Sequence, residues 1–200
     1  MKLFMSEASP FVRKVRLAAA ERGLFHQLEP VIVNPHDRGA ELLAVNPLSK
    51  IPTLVADDGS IHCDSFAICL YLDTIGAAPP VFPLQPSVDI GILQRHVLAN
   101  GIADIAVARR VEVLRPAEAA RAEAMERHRQ TIIRALDRCE ATVSAFCEGP
   151  MLDAITLAAA LSYLDFRFPE DNWRDGRPRL MEWFSGYENR PAMEMTHYPT

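Results

Sequence analysis

Over the first eighty residues the apolar positions change period several times. Lys2 to Met5 is a short apolar run of strand length. Val12, Val15, Leu17, Ala18 and Ala19 then recur at helical spacing, and Gly23 is placed to end that helix. Leu28 to Val33 is a second strand-length run, closed by Asn34-Pro35. A helix between two such strands predicts a right-handed βαβ unit with parallel pairing. A short helix follows near Ala40-Glu41-Leu42-Leu43, then a strand from Thr53 to Ala56. Asp57-Asp58-Gly59-Ser60 is a hairpin turn into Ile61-His62-Cys63. A helix from Ser65 to about Ile75 completes the order βαβαββα.

The pattern changes between Ala77 and Pro86, where Pro79, Pro80, Pro83 and Pro86 exclude regular helix and predict an extended linker. Beyond it every periodic segment is helical. Ile90, Leu93, Val97, Ile102 and Ile105 mark one face, and Ile132, Leu136, Cys139, Val143 and Phe146 another at spacing near 3.6. Further helices are predicted over Ile155 to Phe166 and Leu180 to Tyr187, and no internal repeat or low-complexity tract appears. The expected organisation is an α/β domain over residues 1–77, a linker over 78–87 and an all-α domain over 88–200.

At 200 residues the chain has ample material for a buried core, and 49% apolar with 24% charged residues is an ordinary globular balance. A net charge of −5 gives no electrostatic case for nucleic acid, and the cluster Arg13-Lys14-Val15-Arg16 reads as a solvated face. No apolar run approaches a membrane span, and Met1 to Met5 reads as a strand rather than a leader, so the expected location is the cytoplasm. Of the four cysteines, Cys63 lies beside a polar loop, Cys69 within a helix, and Cys139 and Cys147 in a helical pattern that predicts burial as small hydrophobes. None forms a Cys-x-x-Cys pair or a zinc-ligand spacing, so no metal is expected.

Three short pieces carry the candidate chemistry. Ser9-Pro10-Phe11 sits at a helix start, where serine caps free N–H groups and proline suits the first helical position. Lys50-Ile51-Pro52 precedes the strand Thr53-Leu54-Val55, and a cis proline there exposes the Ile51 backbone to a ligand. Asp64-Ser65 repeats the capping logic before another helix. Each is also satisfied by simple capping. Ser6 is a rival hydroxyl in the same loop as Ser9, and His36, His62 and His96 suggest no catalytic triad.

Taken together, these residues make the chain similar to a bacterial cytosolic glutathione S-transferase of the serine type, with a thioredoxin-like N-terminal domain. The resemblance rests on Ser9-Pro10-Phe11-Val12-Arg13-Lys14-Val15-Arg16, Asn46 to Leu54 and Asp64 to Ile68, supported by Ala99 to Asp104 and Tyr163 to Arg167. It implies that Ser9 faces the glutathione sulfur, with Phe11 beside it in the motif. The Ile51 backbone, next to Pro52, then pairs with the cysteinyl backbone, while Asp64 and Ser65 hold the γ-glutamyl end and Lys50 lies near a carboxylate. Asp104, from a partner subunit, approaches the amine. Glutathione is then co-substrate and no metal is used. The expected activity is transfer of the thiolate to a small hydrophobic electrophile in detoxification, with peroxidase or dehalogenase chemistry as variants. A homodimer is expected. The alternative is a non-catalytic stress or regulatory binding protein on the same fold. Two positions depart from the family pattern. Met151-Leu152-Asp153-Ala154 lacks the usual capping pair, leaving Asp153 to cap alone, and Asn100 stands where the family carries aspartate. Arg109 and Arg110 follow Asp104 on the same helix as candidates for the acceptor side.

Overall fold

The computed structural model describes residues 1–37, 39–82, 90–146 and 149–199. Strands β1 (Lys2–Met5), β2 (Glu29–Ile32), β3 (Thr53–Val55) and β4 (Ile61–His62) form one sheet in the order β2-β1-β3-β4. β1 pairs β2 in parallel, Leu3 opposite Pro30, and pairs β3 antiparallel, Leu3 opposite Leu54. β3 and β4 form the expected hairpin, turned at Gly59 with φ +84°. In β1, Leu3, Phe4 and Met5 are all buried, as a central strand covered on both faces requires. Alternation sends Leu3 and Met5 into the main core and Phe4 to the opposite face.

Helix α1 (Pro10–Glu21) packs on α3 (Ser65–Ile75), and the short α2 (Ala40–Val45) buries Leu42. α1 ends where Gly23 takes φ +72° and the N–H groups of Arg22, Gly23 and Leu24 return to carbonyls of the last turn. The helical half comprises α4 (Ile90–Val113), α5 (Ala119–Thr142), α6 (Leu152–Arg167), α7 (Pro178–Glu188) and the short α8 (Pro191–Met195). α6 is central. Every residue from Leu152 to Leu164 is buried, and it packs against α1, α4 and α7. A helix buried on all sides must satisfy its polar groups internally. Thr156 and Ser162 accordingly donate to the carbonyls of Leu152 and Ala158.

The two halves are joined by buried polar contacts. Arg22, which caps the end of α1, pairs with Asp73 of α3, whose carboxylate accepts the N–H groups of Val81 and Phe82 at 2.9 and 2.7 Å. The Val81 carbonyl in turn accepts the N–H of Leu152, the first residue of α6. The chain entering the linker is thus tied to both halves, while Pro83, Pro86 and the rest of 83–89 lie outside the described residues, as does Cys147.

Three sequence expectations are corrected here. The Arg13–Arg16 cluster is not a solvated face: Arg13 is 6% and Lys14 1% exposed. Arg13 donates to the Met193 carbonyl and lies over the Tyr198 ring, so it is consumed by the C-terminal segment. On α4 the expected face fails in its first half, since Ile90 and Val97 are exposed and Ile92, His96 and Ala99 are buried. The buried stripe includes His96 and Arg109, polar residues that apolar periodicity does not count. Asp153 does not act alone at the start of α6. It is fully buried, bonds the Ala154 N–H at 2.9 Å and pairs with Arg95 Nε at 2.6 Å. None of the described helices is long and apolar enough to cross a membrane.

Candidate functional site

The turns before α1, β3 and α3 open onto one cavity of about 770 Å³, closed on its other side by α4 and α6. Ser9 is the N-cap of α1, its Oγ accepting the Val12 N–H at 3.3 Å. Oγ is thus engaged as an acceptor, and its own hydroxyl proton has no partner among the described residues. Pro10 begins the helix and Phe11 follows into the cavity wall. Ser6 lines the same cavity, but its carbonyl accepts the Ser9 N–H and it holds no helix terminus.

The second turn is set by Asn46. Its side chain is buried, donates to the Lys50 carbonyl at 3.1 Å and to Thr53 Oγ1 at 2.9 Å, and accepts the Leu48 N–H. That bracing holds Lys50, Ile51 and Pro52 against the cavity. The Ile51–Pro52 peptide is cis, as the sequence predicts. The backbone N–H and C=O of Ile51 pair with nothing among the described residues, leaving an edge for an extended peptide.

At the third turn Asp64 caps α3 by accepting the Phe66 N–H at 2.8 Å, and Ser65 is the buried first residue of that helix. The preceding Cys63–Asp64 peptide is also cis, and Cys63 is exposed at the cavity rim. Two helix N-termini, α1 and α3, therefore face one space. Helix dipoles there favour negative charge, such as a thiolate or a carboxylate.

α4 presents Asn100, Asp104, Val107 and Val111 to the cavity at spacings of three and four, one helical face, and Leu114 follows just past its end. Asp104 thus lines the cavity of its own chain. Burial raises its carboxyl above the usual range, opposed by the Asn100 amide and by Lys14. Beside this face lie Arg110, and from α6 Tyr163 and Arg167. Arg109 turns the other way, paired with Asp171 and lying 4.1 Å over the Phe168 ring, so of the two arginines only Arg110 faces the cavity. Among the described residues no cluster of three His, Cys, Asp or Glu side chains could hold a metal ion.

Residues 8–75 match the N-terminal domain of glutathione S-transferases, and residues 122–185 match the C-terminal domain. The chain belongs to the glutathione S-transferase family. Over its whole length it is 30% identical to the uncharacterised GST-like protein YibF of Escherichia coli K12, covering 99% of that protein. A glutathione transferase family member from Pseudomonas fluorescens, crystallised with bound glutathione, is 34% identical over the full chain and 99% of its own, with a TM-score of 0.93. A second structure from that organism holds S-(propanoic acid)-glutathione and matches at 33% identity over both full chains, with a TM-score of 0.87.

Within this glutathione S-transferase frame, the departure at Asn100 gains a structural meaning. Lys14 of α1, 1% exposed, donates from Nζ to Asn100 Oδ1 at 2.8 Å, and Asn100 Nδ2 donates to Asp104 Oδ2 at 3.0 Å. Burial lowers the Lys14 ammonium below the usual lysine range, while Cys69, Asp64 and Asp104 act against that shift. Lys14, which lies behind the cavity wall and bonds its Asn100, is the supporting residue that sequence reasoning missed. Its only signal was a cation at an apolar-face position of α1, between Val12 and Leu17, which a charge-run reading discards. The other missed group is His96. It bonds Thr156 Oγ1 at 2.9 Å, lies 4.9 Å from the Phe66 ring, and has its pKa pushed down to about 4 by burial and by Lys14.

Proposed function

We propose that the protein is a glutathione transferase in which Ser9 stabilises the thiolate of bound glutathione for attack on a small electrophile. The observation that carries this reading is the free Ser9 hydroxyl proton at the N-terminus of α1, opposite the unpaired Ile51 backbone. In this reading the cysteinyl backbone pairs with Ile51 beside cis-Pro52, and the γ-glutamyl end lies at Asp64 and Ser65. Lys50 meets the glycyl carboxylate, Phe11 covers the sulfur, and Asp104, expected from a partner subunit, faces the amine. Residues 1–77 and 88–200 then act as the glutathione domain and the acceptor domain, joined through 78–87. The glutathione bound in the related Pseudomonas fluorescens structure supports the choice of ligand.

Magnitudes agree with that role. A free thiol with pKa about 8.5 is only a few per cent thiolate near neutrality. Lowering it by about two units needs roughly 2.7 kcal/mol of preferential thiolate stabilisation. A serine hydroxyl donating to a charged sulfur contributes on the order of 1.5–3 kcal/mol. The helix terminus adds about 0.3–1 kcal/mol. Serine, unlike cysteine, forms no mixed disulfide with glutathione, so this position favours activating the substrate thiol over thiol exchange. We further assign the protein a cytoplasmic, homodimeric detoxifying role.

The test is a pH titration of bound glutathione by thiolate ultraviolet absorbance, in the native protein and in Ser9→Ala. The expected bound thiol pKa lies about two units below the free value, and Ser9→Ala returns most of that shift. Binding with an unshifted thiol, or a shift indifferent to Ser9, overturns the assignment. No binding of glutathione moves the protein to the non-catalytic class.

A further inference from the structure

The far end of the cavity differs in charge from the end that faces Ser9. Its wall is apolar along Val107 and Val111 of α4 and Leu114 just beyond that helix, yet Arg110 from α4 and Arg167 from α6 line it too. Neither guanidinium forms an ion pair with any described residue, whereas Arg109, one position away, is neutralised by Asp171. Arg167 stacks at 4.0 Å over the Phe166 ring, and its Nε is buried without a hydrogen-bond partner. Tyr163 lines the same end of the cavity; burial raises its phenol, and Arg167 and Arg110 act against that shift. The carboxylates lining the cavity among the described residues are Asp64 and Asp104. Asp104 lies six residues before Arg110 on α4, about 9 Å along the helix. The cavity is therefore acidic where the amine of glutathione is proposed to sit and doubly cationic at the opposite end.

Both guanidinium groups are half-buried, and a partly desolvated cation without an anion gains when a charged acceptor arrives. We propose that the acceptor substrate is a small alkylating agent that carries its own carboxylate, held by Arg110 and Arg167 with Tyr163. The inference rests on the glutathione reading above and refines its acceptor from a purely hydrophobic electrophile to an anionic one. In the transfer step the thiolate lone pair forms the C–S bond while the leaving group departs with its bonding pair. The products are an S-(carboxyalkyl)glutathione and the free leaving anion, and no redox partner is needed. The two arginines have a specific task in that step. Thiolate and carboxylate repel one another at close range in a partly desolvated cavity, and the paired guanidinium groups cancel that repulsion.

The test is calorimetric binding of glutathione, S-carboxymethyl-glutathione and its neutral counterpart S-carbamoylmethyl-glutathione to the native protein, Arg110→Met and Arg167→Met. The two thioethers have nearly the same shape and differ by one charge. The native protein is expected to prefer the carboxylate about tenfold, the scale of one charge-assisted bond. Each Met variant keeps the apolar stem and is expected to lose most of that preference, with glutathione itself bound as before. Equal binding of the two thioethers, with glutathione still bound, overturns this inference and leaves the glutathione reading standing. Loss of glutathione affinity in both variants by the same factor as the thioethers also overturns it, because the arginines then serve glutathione's own carboxylate. A charge preference together with an unshifted glutathione thiol overturns the Ser9 reading and upholds this one. No binding of any of the three ligands overturns both.

Discussion

The two sides of the cavity are built by different means. On the N-terminal side, short loops and helix caps do the positioning: Ser9 on α1, Asp64 on α3, and Ile51 held in place by Asn46. The groups offered to a ligand there are largely backbone N–H and C=O groups and small polar side chains. On the helical side, long side chains reach in from α4 and α6, and their positions depend on how those two helices pack. The lesson is one of tolerance. A capped turn keeps its geometry through local bonds, whereas a wall of helix side chains is only as fixed as the buried ion pairs and core that set the helix positions.

The largest test of that contrast is Asp153→Ala. Asp153 is fully buried at the start of α6 and paired with Arg95 of α4, so its removal leaves an uncompensated cation and an unbonded Ala154 N–H. Breaking such a pair costs about 3–5 kcal/mol. Urea unfolding should show that loss, and Asp153→Asn, which keeps an acceptor without the charge, should lose less. A shift under about 1 kcal/mol would mean that packing alone sets the helical side, and the contrast would fail.

His96 tests the joint between the two sides, since it touches Phe66 of α3 and Thr156 of α6 from α4. Lys14 and Asp64 are the charges that act on it, and Leu152 contributes a backbone hydrogen bond. Its pKa is pushed down to about 4 from 6.5, so the unfolded chain binds the proton more readily. Its contribution is present above pH 6.5 and is lost as pH falls toward 4. The full span corresponds to about 3 kcal/mol. Unfolding free energy measured from pH 7 to pH 4 should therefore fall more steeply in the native protein than in His96→Asn. Parallel slopes would show that the imidazole is not held neutral at this joint.

The same contrast explains what was legible in the sequence. The strands, the caps and the cis Ile51–Pro52 peptide are local consequences of Ser-Pro, Ile-Pro and Asp-Ser at chain turns, and they were readable residue by residue. The buried faces of the later helices were readable where they are purely apolar, as in Ile132, Leu136 and Cys139. They were not readable where a polar side chain is buried through a partner distant in sequence. Lys14 meets Asn100, His96 meets Thr156, Arg95 meets Asp153, and Arg109 meets Asp171. The acceptor side was least legible for this reason. Arg109 and Arg110 are adjacent and chemically identical, and only the packing of α4 decides which one is neutralised.

The smallest effect concerns the place where the two sides meet, the chain Lys14–Asn100–Asp104. A buried ammonium with a neutral acceptor is an incomplete pair, and Asn100→Asp would complete it with a carboxylate at the 2.8 Å position. The same change removes the amide donor now bonded to Asp104 and sets two carboxylates side by side. The first effect strengthens the contact between α1 and α4 by about 1 kcal/mol, the difference between a neutral and a charge-assisted bond. The second pushes the Asp104 carboxyl further up, since a like charge disfavours ionisation. Asn100→Asp should thus unfold at slightly higher urea near pH 8. The new carboxylate is held ionised by Lys14, so its folded pKa is lowered, and the gain should vanish as acid protonates it. Glutathione binding should meanwhile become more pH-dependent as Asp104 titrates closer to neutrality. If stability falls instead, desolvation of a second charge outweighs its pairing with Lys14, and Asn100 is the better partner for a buried lysine at this junction.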